Sequence, residues 1–166
     1  MKEFTISKPR NVAGYPIHRA VAALAQGAPH IWRDNGDTLT IRTTAAIGTE
    51  GCELPVVKAG ELRMFSLRAS VSSKVRGRHI YPARGDHAAR QAWLARQGLR
   101  HGFEVVAVHC TSGFASVADH AGRSFKLDST DFTGVLKVID LAAFQAALQG
   151  GIGGTGRAFG FSLLSI

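Results

Sequence analysis

The amino-acid sequence predicts an α+β fold, and three observations carry that expectation. From residue 61 onward the hydrophobic pattern switches period in the order strand, helix, strand, strand, helix, strand. The first half opens in the same order but has no convincing second helix. The closing segment, GGIGGTGRAFGFSLLSI from Gly150 to Ile166, sets a glycine-rich loop between a helix and a strand. Strand-helix-strand-strand-helix-strand is the ferredoxin-like split pattern (RRM-like βαββαβ), an antiparallel sheet with both helices on one face. The chain therefore reads as tandem ferredoxin-like units, residues 1–59 and 60–166, with the N-terminal one reduced.

Each element has a local reason. Phe4 and Ile6 alternate with polar neighbours, which predicts a strand over residues 2–7. Pro16 stands where a helix would begin. Ile17, Ala20, Val21 and Leu24 follow at helical spacing, and Gly27 ends the run. Strands at 30–34 and 38–43 turn at Asn35-Gly36, a strong hairpin signal. Residues 44–59 carry no period and read as a loop, with a boundary near Ala59.

In the second half, Phe65, Leu67 and Ala69 share one face of a strand over 61–70. A basic loop, SSKVRGRHIYPARG, follows. Asp86 caps a helix reaching about Gly98, anchored by Trp93 and Leu94. Strands are expected at 103–108 and 132–138, with a weaker hairpin-like segment at 114–128. Asp140 caps the last helix, with Leu141, Phe144 and Leu148 inward and Gly150 ending it. A terminal strand is expected from about Ala158 to Ile166.

Composition narrows the function classes. A hydrophobic share of 45% is enough for a core. Twenty basic against 12 acidic residues leave a net charge of +8, and the pI is near 10.2. Such a balance points to a polyanionic partner such as nucleic acid. No apolar run approaches the roughly 18 residues of a transmembrane helix, and MKEFTISKPR lacks a signal peptide's apolar centre. A cytoplasmic protein without membrane contact is expected, with Cys52 and Cys110 as reduced, partly buried thiols. Neither cysteine belongs to a metal-ligand spacing, so no metal or cofactor is expected.

The glycine segment needs care, because Gly151, Gly153 and Gly156 match G-x-G-x-x-G. A dinucleotide fingerprint follows a strand and opens a helix. Here the glycines follow a helix and lead into a strand, so that reading fails. A bare backbone beside Arg157 remains, open to a phosphate or to another backbone.

Five segments, taken in order, resemble one family. They are YPIHRAV, FSLRASVSSK, AWLARQGLRHGF, FTGVLKVIDLAAFQAAL and GIGGTGRAFGFSLL. Together they are similar to the CasE-type endoribonucleases of type I-E CRISPR systems, within the RAMP superfamily. The segment 44–60 is short, so this member looks compact. The resemblance implies binding of a CRISPR repeat stem-loop and cleavage of precursor crRNA without a metal. In that chemistry a 2′-hydroxyl attacks the phosphate, leaving a 2′,3′-cyclic phosphate and a 5′-hydroxyl. It further implies retention of the crRNA beside other subunits of a type I effector complex.

The family's Tyr-x-x-His pair matches Tyr15 and His18, which makes His18 the expected proton-transfer group. It falls in the first turn of a helix, beside the core stripe rather than in it. Tyr15 precedes proline and is held extended, just outside the helix. A cation to meet the charge of the transition state is also implied. Lys126, Arg123 and Arg33 are candidates without a single match. RNA grip is expected from Lys74, Arg76, Arg78, His79 and Arg84, all within eleven positions. Lys126, Arg157 and the bare backbone at Gly153, Gly154 and Gly156 are expected to add to it. Arg68, Arg90, Arg96 and Arg100 would extend the basic surface, whereas Trp93 and Phe144 belong to the core. Two other readings stand beside this one: a RAMP-type crRNA-binding subunit that does not cut, and a small-molecule regulator on the same fold.

Overall fold

The computed structural model describes residues 1–119 and 121–166. Its first antiparallel sheet contains β1 (Lys2–Ser7), β2 (His30–Asp34), β3 (Thr38–Thr43) and β4 (Cys52–Glu53), in the order β2-β3-β1-β4. Helix α1 (Tyr15–Ala25) links β1 to β2 and buries Ile17, Val21 and Ala25, a spacing of four that keeps one stripe inward. Ala20, expected on that stripe, is exposed. The helix ends at Gln26, whose left-handed backbone (φ 50°) lets its N–H reach the carbonyls of Ala22 and Ala23. Asn35 and Gly36 make the expected turn, closed by the Asn35 N–H on the Thr38 carbonyl at 2.9 Å. Residues 44–59, expected as a loop, contain β4. It pairs only Lys2 with Glu53 and Glu3 with Cys52, too short to leave a period in the sequence. Cys52 is exposed there, not partly buried.

The second sheet takes the same order with longer strands. It contains β5 (Leu62–Ala69), β8 (Phe103–Ala118), β9 (Ser124–Val138) and β10 (Leu164–Ser165), arranged β10-β5-β9-β8. Counted by sequence within each sheet, both run second, third, first, fourth, the ferredoxin-like order. Helices α2 (His87–Arg100) and α3 (Leu141–Gly150) cover the second sheet; the first has α1 alone. Asp86 and Asp140 cap α2 and α3, accepting from the N–H of Ala89 at 3.0 Å and Ala143 at 3.1 Å. The main core packs Trp93 over Phe132, ring centroids 6.2 Å apart, and Phe103 edge-on to Phe144 at 6.0 Å. Burial of each such ring contributes roughly 1.5–3 kcal/mol. Leu141, expected inward, is 37% exposed at the first turn of α3.

Three further expectations change. The basic loop is a two-stranded hairpin, β6 (Ser73–Val75) with β7 (Arg78–Ile80), bonded to neither large sheet. The strands at 103–108 and 132–138 and the segment 114–128 are one long ribbon, paired from Phe103↔Val138 to Ala118↔Ser124 with a bulge between Val105 and Ala107. Residue 120 lies outside the described residues. The terminal strand shrinks to Leu164–Ser165, preceded by a 3-10 turn at Arg157–Phe159. The left-handed Gly160 and Ser162 (φ 79° and 82°) interrupt it.

The glycine segment packs on the first sheet. Gly151 lies against the Ile31 side chain, and Gly160 against the Trp32 ring and the Asp34 backbone. Arg33 of β2 donates to Ser66 Oγ of β5 at 2.9 Å. Among the described residues no helix is long and apolar enough to cross a membrane.

Candidate functional site

Four depressions hold several of the residues singled out by sequence, and His18 stands beside the first without lining it. The first lies at the N-terminus of α1. Tyr15, expected extended just outside the helix, is its first residue and Pro16 its second, and the Gly14 carbonyl accepts from the backbone N–H of Ile17 (3.1 Å) and of His18 (3.3 Å). This turn sets Tyr15 and His18 side by side, ring centroids 5.5 Å apart and tilted by 50°. Both are half-buried, and His18 Nδ1 is enclosed with no hydrogen-bond partner among the described residues. A buried nitrogen left in that state loses its hydration without return.

His30, which the sequence did not single out, stands 6.5 Å from the His18 ring. Its Nδ1 lies 3.0 Å from the Ala28 carbonyl and donates to it, leaving Nε2 for other partners. No spacing rule joins residues 18 and 30; only the packing of α1 on β2 does. Tyr15 also lines an open depression of about 820 Å³ with Arg19, Asp119 and Gly122.

Arg33, Arg123 and Lys126 separate in space. Arg33 sits in a groove between the sheets of about 640 Å³, with Lys8, Arg68 and Gly14. Burial, then the neighbouring Arg68, pull its guanidinium below the ordinary value, against a smaller opposing pull from Asp131. Arg123 pairs with Asp119 at 2.7 Å and so stands at the rim of the Tyr15 depression. Lys126 is exposed in another pocket, of about 180 Å³, together with Arg84, Tyr81 and Phe114.

The fourth depression joins Lys74 of β6 to Gly153 and Gly154, with His79, Gln97 and Arg100 around a cleft of about 510 Å³. The glycines differ in why they are glycine. Gly156 is left-handed (φ 87°), and a Cβ there would meet the Phe161 ring at 2.8 Å, so the fold itself requires it. A Cβ on Gly154 would meet nothing within 4 Å, and its backbone is one that any residue adopts. Arg157 is exposed but turned back, its Nε donating to the Gly153 carbonyl at 3.0 Å. Arg76 and Arg78 stand at the tip of the hairpin, fully exposed. Arg90 is not on the basic surface: it is 1% exposed and paired with Asp128. Among the described residues no three His, Cys, Asp or Glu side chains converge on a common point.

A doubled ferredoxin-like fold with a Tyr–His pair and a detached cationic hairpin defines the class. The chain belongs to the family of CRISPR associated proteins, whose model matches residues 43–166, and it is of the CasE type. It superposes on the CRISPR endoribonuclease Cse3 bound to a 19-nucleotide RNA with a TM-score of 0.80, 25% identity and coverage of 98% of this chain and 95% of that one. Cas6e from Escherichia coli K-12 gives 0.75 at 19% identity, covering 99% and 98%. A chain of a CRISPR RNA-guided surveillance complex gives 0.77 at 17%, again covering 99% and 98%. No curated protein matches.

Proposed function

We propose that the protein is a CRISPR repeat endoribonuclease, acting in the cytoplasm, that binds the repeat stem-loop and cuts precursor crRNA. Residues 1–59 carry His18 and Tyr15, and residues 60–166 the grip. The observation that supports this reading above others is the juxtaposition of Tyr15 with His18, whose Nδ1 is enclosed and unpartnered. A purely scaffolding subunit has no need of that pair. The likeness to Cse3 bound to RNA supports the substrate class, and the likeness to a surveillance-complex chain supports retention of the crRNA beside other subunits.

The reaction needs no metal in this reading. The 2′-hydroxyl oxygen forms a bond to phosphorus as the bond to the 5′-oxygen breaks. The hydroxyl proton leaves to a base, and a proton reaches the departing 5′-oxygen. His18 is the group that moves a proton, with Tyr15 beside it, and a cation meets the charge on the phosphate. Arg123, fixed by Asp119 at the rim of the Tyr15 depression, is the best placed of the three candidates.

The test is a gel assay of repeat RNA with the protein in EDTA, for wild type and His18→Ala. Cutting in EDTA that is lost in His18→Ala supports the assignment. Tight binding without cutting would point to a non-cleaving crRNA-binding subunit instead.

A further inference from the structure

The β6–β7 hairpin is the most cationic feature of the surface and the least anchored. Residues 73–80 are all exposed, and the hairpin shares no ladder with either large sheet. A lone two-stranded ribbon is at best marginally stable in water. Something must nevertheless fix where its charges stand.

Both roots of the hairpin end on one buried ion pair. Arg90, in the first turns of α2, holds Asp128 of β9 in a fork: Nη2 to Oδ1 at 2.8 Å and Nη1 to Oδ2 at 3.0 Å. The two side chains are 2% and 5% exposed. The entry root is tied to the pair by the Val71 N–H, which donates to Asp128 Oδ2 at 3.1 Å. The exit root is tied by the Pro82 carbonyl, which accepts from Arg90 Nη2 at 3.3 Å. Arg90 Nη1 also donates to Thr130 Oγ1. A planar, rigid guanidinium serves all these acceptors at set angles, which a lysine ammonium does not.

We propose that Arg90 and Asp128 are positioning residues that set the angle of the cationic hairpin, so that Lys74, Arg76 and Arg78 meet the RNA backbone together. This rests on the reading that the hairpin grips RNA. Neither member of the pair touches RNA in this role. An ion pair of this kind is not needed merely to hold a fold, since apolar residues of similar volume commonly replace one without loss.

The test uses the double variant Arg90→Met/Asp128→Leu, which removes one charge of each sign and leaves the net charge at +8. Its affinity for the repeat RNA is measured across a salt series. In wild type, Arg76→Ala or Arg78→Ala each lowers the slope of log affinity against log salt by about 1. The double variant, with no change in net charge, lowers the slope by about 2 to 3, and adding Arg76→Ala then has no further effect. Trypsin cutting of the free protein at Lys74, Arg76 and Arg78 rises severalfold, while cutting at sites outside the hairpin stays near wild type. A wild-type slope, a full response to Arg76→Ala and unchanged trypsin cutting would overturn the proposal. If Arg76→Ala and Arg78→Ala leave the wild-type slope unchanged, the RNA-grip reading itself fails, and trypsin alone then judges the tether. Should the double variant fail to fold, Arg90→Lys carries the same readouts: it keeps the charge and loses the fork.

Discussion

Arg42 and Leu164 stand 122 residues apart, yet Arg42 Nη1 donates to the Leu164 carbonyl at 2.7 Å. The same nitrogen donates to the Leu148 carbonyl at 2.7 Å, and Nε holds Glu3 at 2.7 Å. One buried guanidinium thus ties β3 to the end of α3 and to β10. Arg42→Ala is expected to lower stability by about 3 kcal/mol, because it strands buried carbonyls as well as losing charged hydrogen bonds. That corresponds to a fall of roughly 6–12 °C in thermal midpoint. A midpoint within a degree or two of wild type would show that the two sheets hold together without it.

His18→Ala should cut the single-turnover cleavage rate by about 10²–10⁴, the usual contribution of a positioned proton-transfer group. Binding of the uncut RNA should change little, because the loss falls on the chemical step. His30→Gln tests the neighbour that the sequence did not disclose. A shifted acid limb in the pH–rate profile would place His30 in the same proton network. An unchanged profile would make it a packing residue only.

Gly154 and Gly156 should respond in opposite ways. Gly156→Ala forces a side chain into Phe161 at φ 87° and should destabilise the fold by about 1–3 kcal/mol. Gly154→Val meets open space and should leave the melting temperature unchanged. If RNA backbone passes that bare position beside Lys74, Gly154→Val weakens binding; an unaltered affinity removes Gly154 from the interface.

His101, at the C-terminus of α2, is held below the ordinary histidine value by burial first, then by Arg100 and Arg157. The unfolded chain then binds this proton more readily than the folded one. The contribution to stability is present above about pH 6.5, the unfolded value, and is lost as pH falls below it. His101→Gln should flatten that part of the stability profile. Arg157→Ala should raise the His101 titration midpoint, read directly by NMR. No movement would mean that Arg157 points elsewhere in solution.

The sequence alone determined the α+β class, the repeated strand-helix-strand-strand order, both aspartate caps, the core faces of β5 and α2, and Phe144 and Leu148 of α3 but not Leu141. Each of these leaves a period or a turn residue within a short window. It also paired Tyr15 with His18, but set Tyr15 extended outside the helix, whereas the structure makes it the first residue of α1, one turn from His18. Tertiary structure decided the rest. The two-residue β4 and the exposed β6–β7 hairpin carry no hydrophobic period, so backbone pairing alone reveals them. Arg90, read as one more surface cation, is buried because Asp128, 38 residues away, meets it in the fold. Lys74 shares a cleft with the glycine loop, Arg84 shares a pocket with Lys126, and His30 stands near His18 for the same reason. Such contacts depend on strand order and helix packing, which no local pattern encodes.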